Sequence, residues 1–229
     1  MKPILFSAEM VRAIQDLRKT QTRRIVKPQP SSGIRKSVFV KSGLEDGHGR
    51  EIKPRYQPGD ILWVRETWLK ADDGYCYKVD IEVPSESEDL RKAYGYKWRP
   101  SIFMPREAAR IFLRVKYVRV ERLQEITTED ICKEGVWIEP PPIVKNGVQI
   151  PPDFEKRTEA QKDEYFKDAA RATYIGQCKH ISALHREWEK LWDNLNAKRG
   201  YGWDVNPWVW VYEFEKINKE EAERLEGME

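Results

Sequence analysis

The sequence is poor in cysteine and has no long apolar run. Its three cysteines, Cys76, Cys132 and Cys178, are odd in number and widely spaced, which argues against a disulfide framework and for a reducing compartment. The opening residues MKPILFSAEM hold an apolar run too short for a signal peptide, and no stretch approaches transmembrane length. These absences predict a cytoplasmic protein with no membrane partner.

The patterns of common metal and cofactor sites are absent as well. The sequence has no CxxC or HxxxH pair, no glycine-rich phosphate loop and no paired metal carboxylates. Cys178, His180 and His185 are close in sequence but do not share one face of a helix, so they do not predict a zinc site. We therefore expect a protein that uses no metal and no cofactor.

Charge is abundant but balanced. Among 229 residues, 41 Lys and Arg face 38 Asp and Glu, for a net charge of +3. The chain therefore has no global positive field, and any attraction for nucleic acid must come from a local patch. The length fits one large domain or two small ones and is sufficient to bury a core.

Apolar periodicity predicts several strands and few helices. Strand patterns occupy 3–7, 22–26, 61–68, 74–83, 111–123 and 208–217. Helical patterns occupy 8–17, with Ser7 as the cap, 127–135, with threonine at its cap and glycine at its end, and 158–172 and 179–196. The strand at 111–123 loses its alternation near Lys116, which indicates a bulge, and the charged tail after Ile217 is expected to be frayed. The pattern predicts an α+β fold, a small mixed or closed β-barrel decorated by helices.

The densest charge in the chain lies in LRKTQTRRIVKP (Leu17–Pro28), with five cations in ten positions. If 22–26 is a strand, Thr22 and Arg24 face one side and Arg23 faces the other. Lys19 lies in the helix-to-strand connection, where its side chain can turn into a cleft and meet Thr22. A lysine beside arginines, or partly desolvated, has a lowered pKa and can act as a base. The alternative is a solvated basic loop.

Glu134, at the end of the short helix predicted over 127–135, is unusually placed. Acids are stabilised near helix N-termini and disfavoured near C-termini. A cation such as Lys19 would hold the carboxylate against the helix dipole, whereas the alternative is an exposed acid beside Lys133.

Aromatic and charged residues alternate in ILWVRETW (Ile61–Trp68). Arg65 and Glu66 either line a pocket or pair with neighbours on the barrel surface. Trp63 is either a core residue or a platform on which a base stacks.

Four motifs, in this order, resemble the ASCH domain, a relative of the PUA domain: RKTQTRRI, QPGDILWVRETW, ITTEDICKEGV and WVWVYEFEKI. The resemblance is strongest to phage- and prophage-encoded ASCH proteins of this size. It implies a PUA-like β-barrel flanked by helices, with a cleft between the helix-to-strand turn and the barrel mouth. The chain would be a single domain over 1–229, with long loop and helical insertions at about 31–57, 84–98 and 138–198.

ASCH domains are generally thought to bind RNA or modified nucleosides. One small bacterial branch, similar in these motifs, hydrolyses the amide of N(4)-acetylcytidine to cytidine and acetate. The resemblance places the catalytic lysine, threonine and glutamate of that branch on Lys19, Thr22 and Glu134. It implies an amidohydrolase that acts on the linear amide of an N-acylated cytosine nucleoside. Where the family has glycine two residues before the lysine, this chain has Leu17, and leucine is disfavoured in a left-handed helix end.

The alternative is a non-catalytic RNA- or nucleotide-binding module, and a ribonuclease that uses the same cleft is a third possibility. In the binding module an exposed tryptophan or tyrosine would stack on a base, and RGYGWDVNPW (Arg199–Trp208) is the predicted aromatic loop. Predicted substrate- or nucleic-acid-binding residues are Arg18, Arg23, Arg24, Trp63, Arg65 and Glu66. Phosphate binding requires only the arginines, whereas catalysis requires that Lys19, Thr22 and Glu134 converge.

Overall fold

The computed structural model of the protein describes residues 1–72, 74–80, 97–138 and 158–227, without the side chains of residues 160 and 163–178. A five-stranded sheet accompanied by helices confirms the predicted α+β class. Its strands are β1 (Lys2–Leu5), β2 (Gln21–Ile25), β5 (Ile61–Arg65), β8 (Phe112–Arg122) and β9 (Trp208–Ile217). In the order β1–β5–β8–β9–β2, only β1 and β5 run parallel. Strands β1 and β2 are therefore the edges of the sheet.

Two further strand pairs lie outside the central sheet. β3 (Ile34–Lys36) pairs with β4 (Leu44–Asp46), and β6 (Trp68–Ala71) pairs with β7 (Gly74–Tyr77). The first pair lies within the insertion predicted at about 31–57. Most of the insertion predicted at about 84–98 lies outside the described residues.

Two helices begin at the caps that the sequence predicts. The Ser7 side chain accepts a hydrogen bond from the N–H of Met10 at the start of α1 (Ala8–Gln15). The Thr127 side chain accepts one from the N–H of Asp130 at the start of α2 (Thr128–Lys133). Such caps pair N–H groups that have no partner within the first turn.

Two further helices among the described residues differ from the predictions. The patterns at 158–172 and 179–196 belong to one helix, α3 (Glu159–Asn196). The charged tail is not frayed: it forms α4 (Lys219–Glu226), where Ala222 is fully buried. Among the described residues, no helix combines the length and the apolar character needed to cross a membrane.

The long β8–β9 ladder carries the predicted bulge. Its register shifts between Val115 and Tyr117, which leaves Lys116 without a partner across the strands. An extra residue of this kind increases the local twist and bends the strand. The alternation of side chains between the two faces of the strand is interrupted between Val115 and Tyr117. This is the interruption that is visible in the sequence.

The sheet buries side chains on both faces because β9 alternates. Trp210, Tyr212 and Phe214 enter the core that also contains Val11 and Ile14 of α1. Val209 and Val211 pack into a second core, whose members from α3 are Leu184, Trp188 and Trp192. The edge strand β2 thus lies between α1 and the C-terminal half of α3.

Candidate active site

The turn between α1 and β2 determines where Lys19 lies. The N–H of Arg18 donates to the carbonyl of Ala13 at 2.9 Å, and the N–H of Leu17 donates to that of Ile14 at 3.1 Å. This pair of bonds ends the helix in a left-handed residue, and Leu17 has a φ of 60°. The turn therefore forms although leucine replaces the glycine of the family pattern, with the leucine side chain directed into solvent.

Lys19 and Glu134 form a buried ion pair. The Lys19 Nζ donates to Glu134 Oε2 at 2.7 Å and to the Glu134 carbonyl at 2.8 Å. Their side chains are 0% and 2% exposed, and the two backbones pair in an isolated antiparallel bridge. The unusual placement of Glu134 at a helix C-terminus is thus matched by a cation.

Gly135 allows the end of α2 to approach α1 this closely. It has a φ of 90°, which favours glycine. A Cβ atom at this position would lie 2.9 Å from the Cβ of Ala13 and 3.1 Å from the Cβ of Lys19. A side chain at residue 135 would therefore push Glu134 away from Lys19.

Burial lowers the pKa of Lys19. Desolvation is the largest cause, and the charge and hydrogen bond of Glu134 act in the opposite direction. The charges of Arg24 and Arg23 lower this pKa further. The neutral amine is the form that accepts a proton, and at a given pH a larger fraction of Lys19 is neutral than of a solvated lysine.

Arg23 holds the second oxygen of Glu134. Its Nη1 donates to Glu134 Oε1 at 3.2 Å, while its Nη2 donates to Glu121 Oε1 at 2.5 Å and to Asp130 Oδ2 at 2.9 Å. Arg119 extends the cluster by donating to Asp130 at 2.8 Å. The Arg23 side chain is 0% exposed, so these carboxylates, and not water, accept the hydrogen bonds that it donates.

Thr22 and Arg24 project from the opposite face of β2, as the strand alternation predicts. The Arg24 Nη1 donates to Thr22 Oγ1 at 3.0 Å, and its Nη2 donates to the carbonyl of Leu5 at 2.8 Å. Arg24 thereby connects the two edges of the sheet. A guanidinium at this distance stabilises negative charge on the threonine oxygen.

A cleft of about 760 Å³ opens along β2. Thr22, Arg24 and Glu134 belong to its lining, together with rings of Phe6 and Tyr56. The three predicted catalytic residues are almost inaccessible to solvent: Lys19 is 2% exposed, Thr22 1% and Glu134 3%. Glu134 and Thr22 therefore line the cleft with little exposed surface, and Lys19, which binds Glu134, is not among the described lining residues.

The structure places the other predicted binding residues elsewhere. Arg18 forms an exposed ion pair with Asp16 at 2.7 Å. Trp63 is 5% exposed and packs in a core, with the Arg65 guanidinium 4.6 Å from its ring centre. Glu66 is bound through both oxygens by Arg110. The described lining of this cleft does not include the four predicted residues Arg18, Trp63, Arg65 and Glu66.

Sequence reasoning missed several residues of the site. Arg55 and Tyr56 line the cleft from the end of the insertion predicted at about 31–57, and Arg199 lines it from the residues that follow α3. Residues 55 and 56 have the local pattern of a turn, and Arg199 begins the aromatic loop predicted at 199–208, so no signal in the sequence joins them in one site. Gly135 had a signal, because a glycine that ends a helix marks a left-handed residue.

Comparisons with models of protein families, with curated proteins and with solved structures give no match. Within the described part of the chain, no group of three or more His, Cys, Asp or Glu side chains is placed to hold a metal ion.

Proposed function

We propose that this protein is an ASCH-type, PUA-like amidohydrolase that acts on an N-acylated cytosine nucleoside. The observation that carries the proposal is the 2.7 Å contact between Lys19 and Glu134 at a cleft that Thr22 also lines. Lys19 and Glu134 are 115 positions apart in the sequence, and the catalytic interpretation requires that they come together. A buried lysine with a lowered pKa, bound to a carboxylate that lines the cleft, is suited to base catalysis.

The first step is acyl transfer to threonine. Thr22 Oγ1 attacks the acyl carbonyl carbon while neutral Lys19 accepts the hydroxyl proton. Arg24, which already donates to Thr22 Oγ1, stabilises the negative charge that develops on the carbonyl oxygen. The proton passes along the Lys19–Glu134 hydrogen bond to Glu134 and then to N4 of the base as the carbon–nitrogen bond breaks. Cytidine leaves, and the acyl group stays on Thr22 as an ester.

The second step is hydrolysis of this ester. Water attacks the ester carbonyl and gives one proton to Lys19, and the bond to Thr22 Oγ1 breaks. Thr22 regains its proton, and the carboxylic acid leaves. The complete reaction consumes one water for each amide bond, and no other co-reactant is needed.

The test is chromatography of N(4)-acetylcytidine incubated with the wild-type protein and with Lys19→Ala, Thr22→Val and Thr22→Ser. We expect cytidine from the wild type and from Thr22→Ser, and none above background from the other two. Thr22→Val removes the hydroxyl and preserves the shape of the side chain, so it keeps the test valid if Lys19→Ala unfolds. No cytidine from the wild type after many hours at high enzyme concentration would refute the proposed substrate.

A non-catalytic RNA- or nucleotide-binding module is the second candidate. The observation that favours it is the excess of cations along the cleft, where only Glu134 is acidic among the described lining residues. Arg23 contributes little to such a module, because its donors are occupied by carboxylates. Binding that stays constant as salt increases would argue against this candidate.

A further inference from the structure

The positive charge of the chain is concentrated at the cleft. The whole sequence is nearly neutral, with 41 cationic and 38 acidic residues. The described lining of the cleft contains one acid, Glu134, and six cations. The cations are Arg23, Arg24, Lys27, Lys53, Arg55 and Arg199. An uncharged nucleoside does not require such a concentration of charge, whereas an anion is attracted by it.

Three of these cations are already engaged. Arg23 binds carboxylates, Arg24 binds Thr22 and Leu5, and Lys53 pairs with Glu51 at 2.7 Å. The other three cations differ from these, because none of them has a carboxylate within ion-pair distance among the described residues. This group consists of Lys27, Arg55 and Arg199.

Aromatic rings hold two of these cations in place without neutralising them. The Lys27 Nζ lies 5.7 Å from the ring centre of Tyr201, and the Arg55 guanidinium lies 5.5 Å from that of Tyr56. Tyr56 is itself fixed, because its hydroxyl donates to the carbonyl of Pro3 at 2.7 Å. Stacking of this kind orders a cation while its donors stay available.

The three cations come from distant segments. Lys27 follows β2, Arg55 precedes β5, and Arg199 follows α3, and all three line the same cleft as Thr22. Phosphate oxygens accept several charge-assisted hydrogen bonds at once, and guanidinium groups match them in geometry.

We propose that Lys27, Arg55 and Arg199 form a phosphate-binding subsite, so that the acylated base enters the cleft as part of a nucleotide. The identity of the base rests on the proposed function, whereas the phosphate preference rests on the cations. The phosphate has two possible sources, a free mononucleotide or one position of a single strand. The cleft volume of about 760 Å³ is within the range of about 300–1,000 Å³ found for ligand pockets.

The kinetic test compares kcat/KM for N(4)-acetylcytidine, its 5′-monophosphate and a short oligoribonucleotide that contains it. We expect at least one phosphate-bearing substrate to be preferred over the nucleoside by about tenfold or more, the effect of one charge-assisted contact. Arg55→Ala and Arg199→Ala should each reduce this preference by about tenfold. Lys198→Ala is the matched control: Lys198 is the exposed neighbour of Arg199 and is not among the described lining residues. It should preserve the preference.

A binding test separates failure of the subsite from failure of the reaction. Calorimetry gives the Kd of cytidine 5′-monophosphate, of cytidine and of an oligocytidylate for wild type and Arg199→Ala. Tighter binding of a phosphate-bearing ligand, lost in Arg199→Ala, would support the subsite even if no substrate is hydrolysed. Equal kcat/KM for nucleoside, monophosphate and oligonucleotide, together with equal Kd values, would overturn the subsite and leave the reaction standing.

Salt dependence identifies the source of the phosphate. If a strand is held by three cations, log K should fall with log salt with a slope of about −2, from about 0.7 per phosphate contact on single strands. A preference confined to the oligonucleotide, with that slope, supports a strand as the ligand. A preference shared by the monophosphate supports the subsite with a free nucleotide as its ligand.

Discussion

Two buried glutamates in this protein have opposite surroundings. Glu66 is 2% exposed and Glu134 is 3% exposed. Both oxygens of Glu66 are bound by Arg110, each at 2.9 Å, and Arg110 reaches solvent, where it also binds Asp80. Glu134 is instead shared between Lys19 and Arg23, whose side chains are both 0% exposed.

The difference shows which of the two cations has a lowered pKa. Burial acts against the charge on Arg110, but the hydrogen bonds that Arg110 donates to Glu66 and Asp80 outweigh it and raise the pKa of Arg110, so that pair keeps its charges. Burial lowers the pKa of Lys19 in spite of Glu134. A lysine with a lowered pKa can change its protonation state under conditions where an arginine cannot. In the proposed function the Lys19–Glu134 pair is therefore the reactive one, whereas the Arg110–Glu66 pair is structural.

The largest expected effect comes from exchanging each glutamate for its amide. Glu134→Gln should lower kcat/KM by about 10²–10⁴-fold, the contribution of a positioned acid or base. Glu66→Gln should leave kcat/KM near the wild-type value but lower the free energy of unfolding by about 3 kcal/mol, because it breaks a buried ion pair. Steady-state kinetics and urea unfolding of both variants measure these effects. Equal losses of activity in the two variants would remove the distinction between the pairs.

The close approach behind the reactive pair gives the second prediction. Gly135→Ala should lower the free energy of unfolding by about 2–4 kcal/mol, from left-handed strain together with overpacking against Lys19 and Ala13. Gly59→Ala is a matched control, because Gly59 has a φ of 93° but would meet no atom within 4 Å. It should show only the strain less the entropy that alanine saves on folding, about 0.5–1 kcal/mol. Equal losses from urea unfolding would mean that the contact with Lys19 is unimportant.

The lowered pKa of Lys19 predicts a pH dependence of stability. The folded protein releases the Lys19 proton at a lower pH than the unfolded chain, whose ordinary lysine pKa is 10.5. Between these two values the unfolded chain binds more protons, so stability from this group rises with pH, by at most about 1.4 kcal/mol per pH unit. Below the folded pKa the contribution has no slope.

Urea unfolding at several pH values up to 10.5 tests this dependence against Lys19→Met. We expect the rise to be present in the wild type and absent from the variant, since the other titrating groups are common to both. The same pKa should appear as the acid limb of kcat/KM, which increases as Lys19 loses its proton. A wild-type slope identical to that of Lys19→Met would show that Lys19 keeps an ordinary pKa.

The elements that sequence patterns predicted best were those that alternate without interruption. The predicted closing strand at 208–217 has the bounds of β9, because every second residue enters one of two cores. The bulge at Lys116 was predictable for the same reason, since it breaks the alternation. Helix α4 was missed because Ala222 and Leu225 are the residues that pack it against the core, and two apolar residues are too few to show a helical period.

The candidate site was only partly accessible from sequence. An acid at the end of a helix left two interpretations of Glu134, a partner cation such as Lys19 or an exposed acid beside Lys133. The resemblance to the ASCH domain favoured the first. The strand alternation placed Arg23 opposite Arg24, yet it did not show that Arg23 would bind Glu121 and Asp130. Those contacts depend on how β2, β8 and α2 are arranged in space, which a local pattern does not contain.

The smallest expected effect concerns the left-handed turn at Leu17, which precedes Lys19. Among the described residues, the Arg110–Glu66 pair has no such turn beside it. Leucine in a left-handed turn costs about 1–2 kcal/mol, and glycine loses about 0.5–1 kcal/mol more entropy on folding. Leu17 is 69% exposed, so its side chain contributes little burial. Leu17→Gly should therefore raise the free energy of unfolding by about 0.5–1 kcal/mol, whereas Leu17→Ala, which keeps the strain, should leave it unchanged. If urea unfolding shows Leu17→Gly to be no more stable than Leu17→Ala, the turn that carries the reactive lysine is not strained, and the leucine at this position costs the fold nothing.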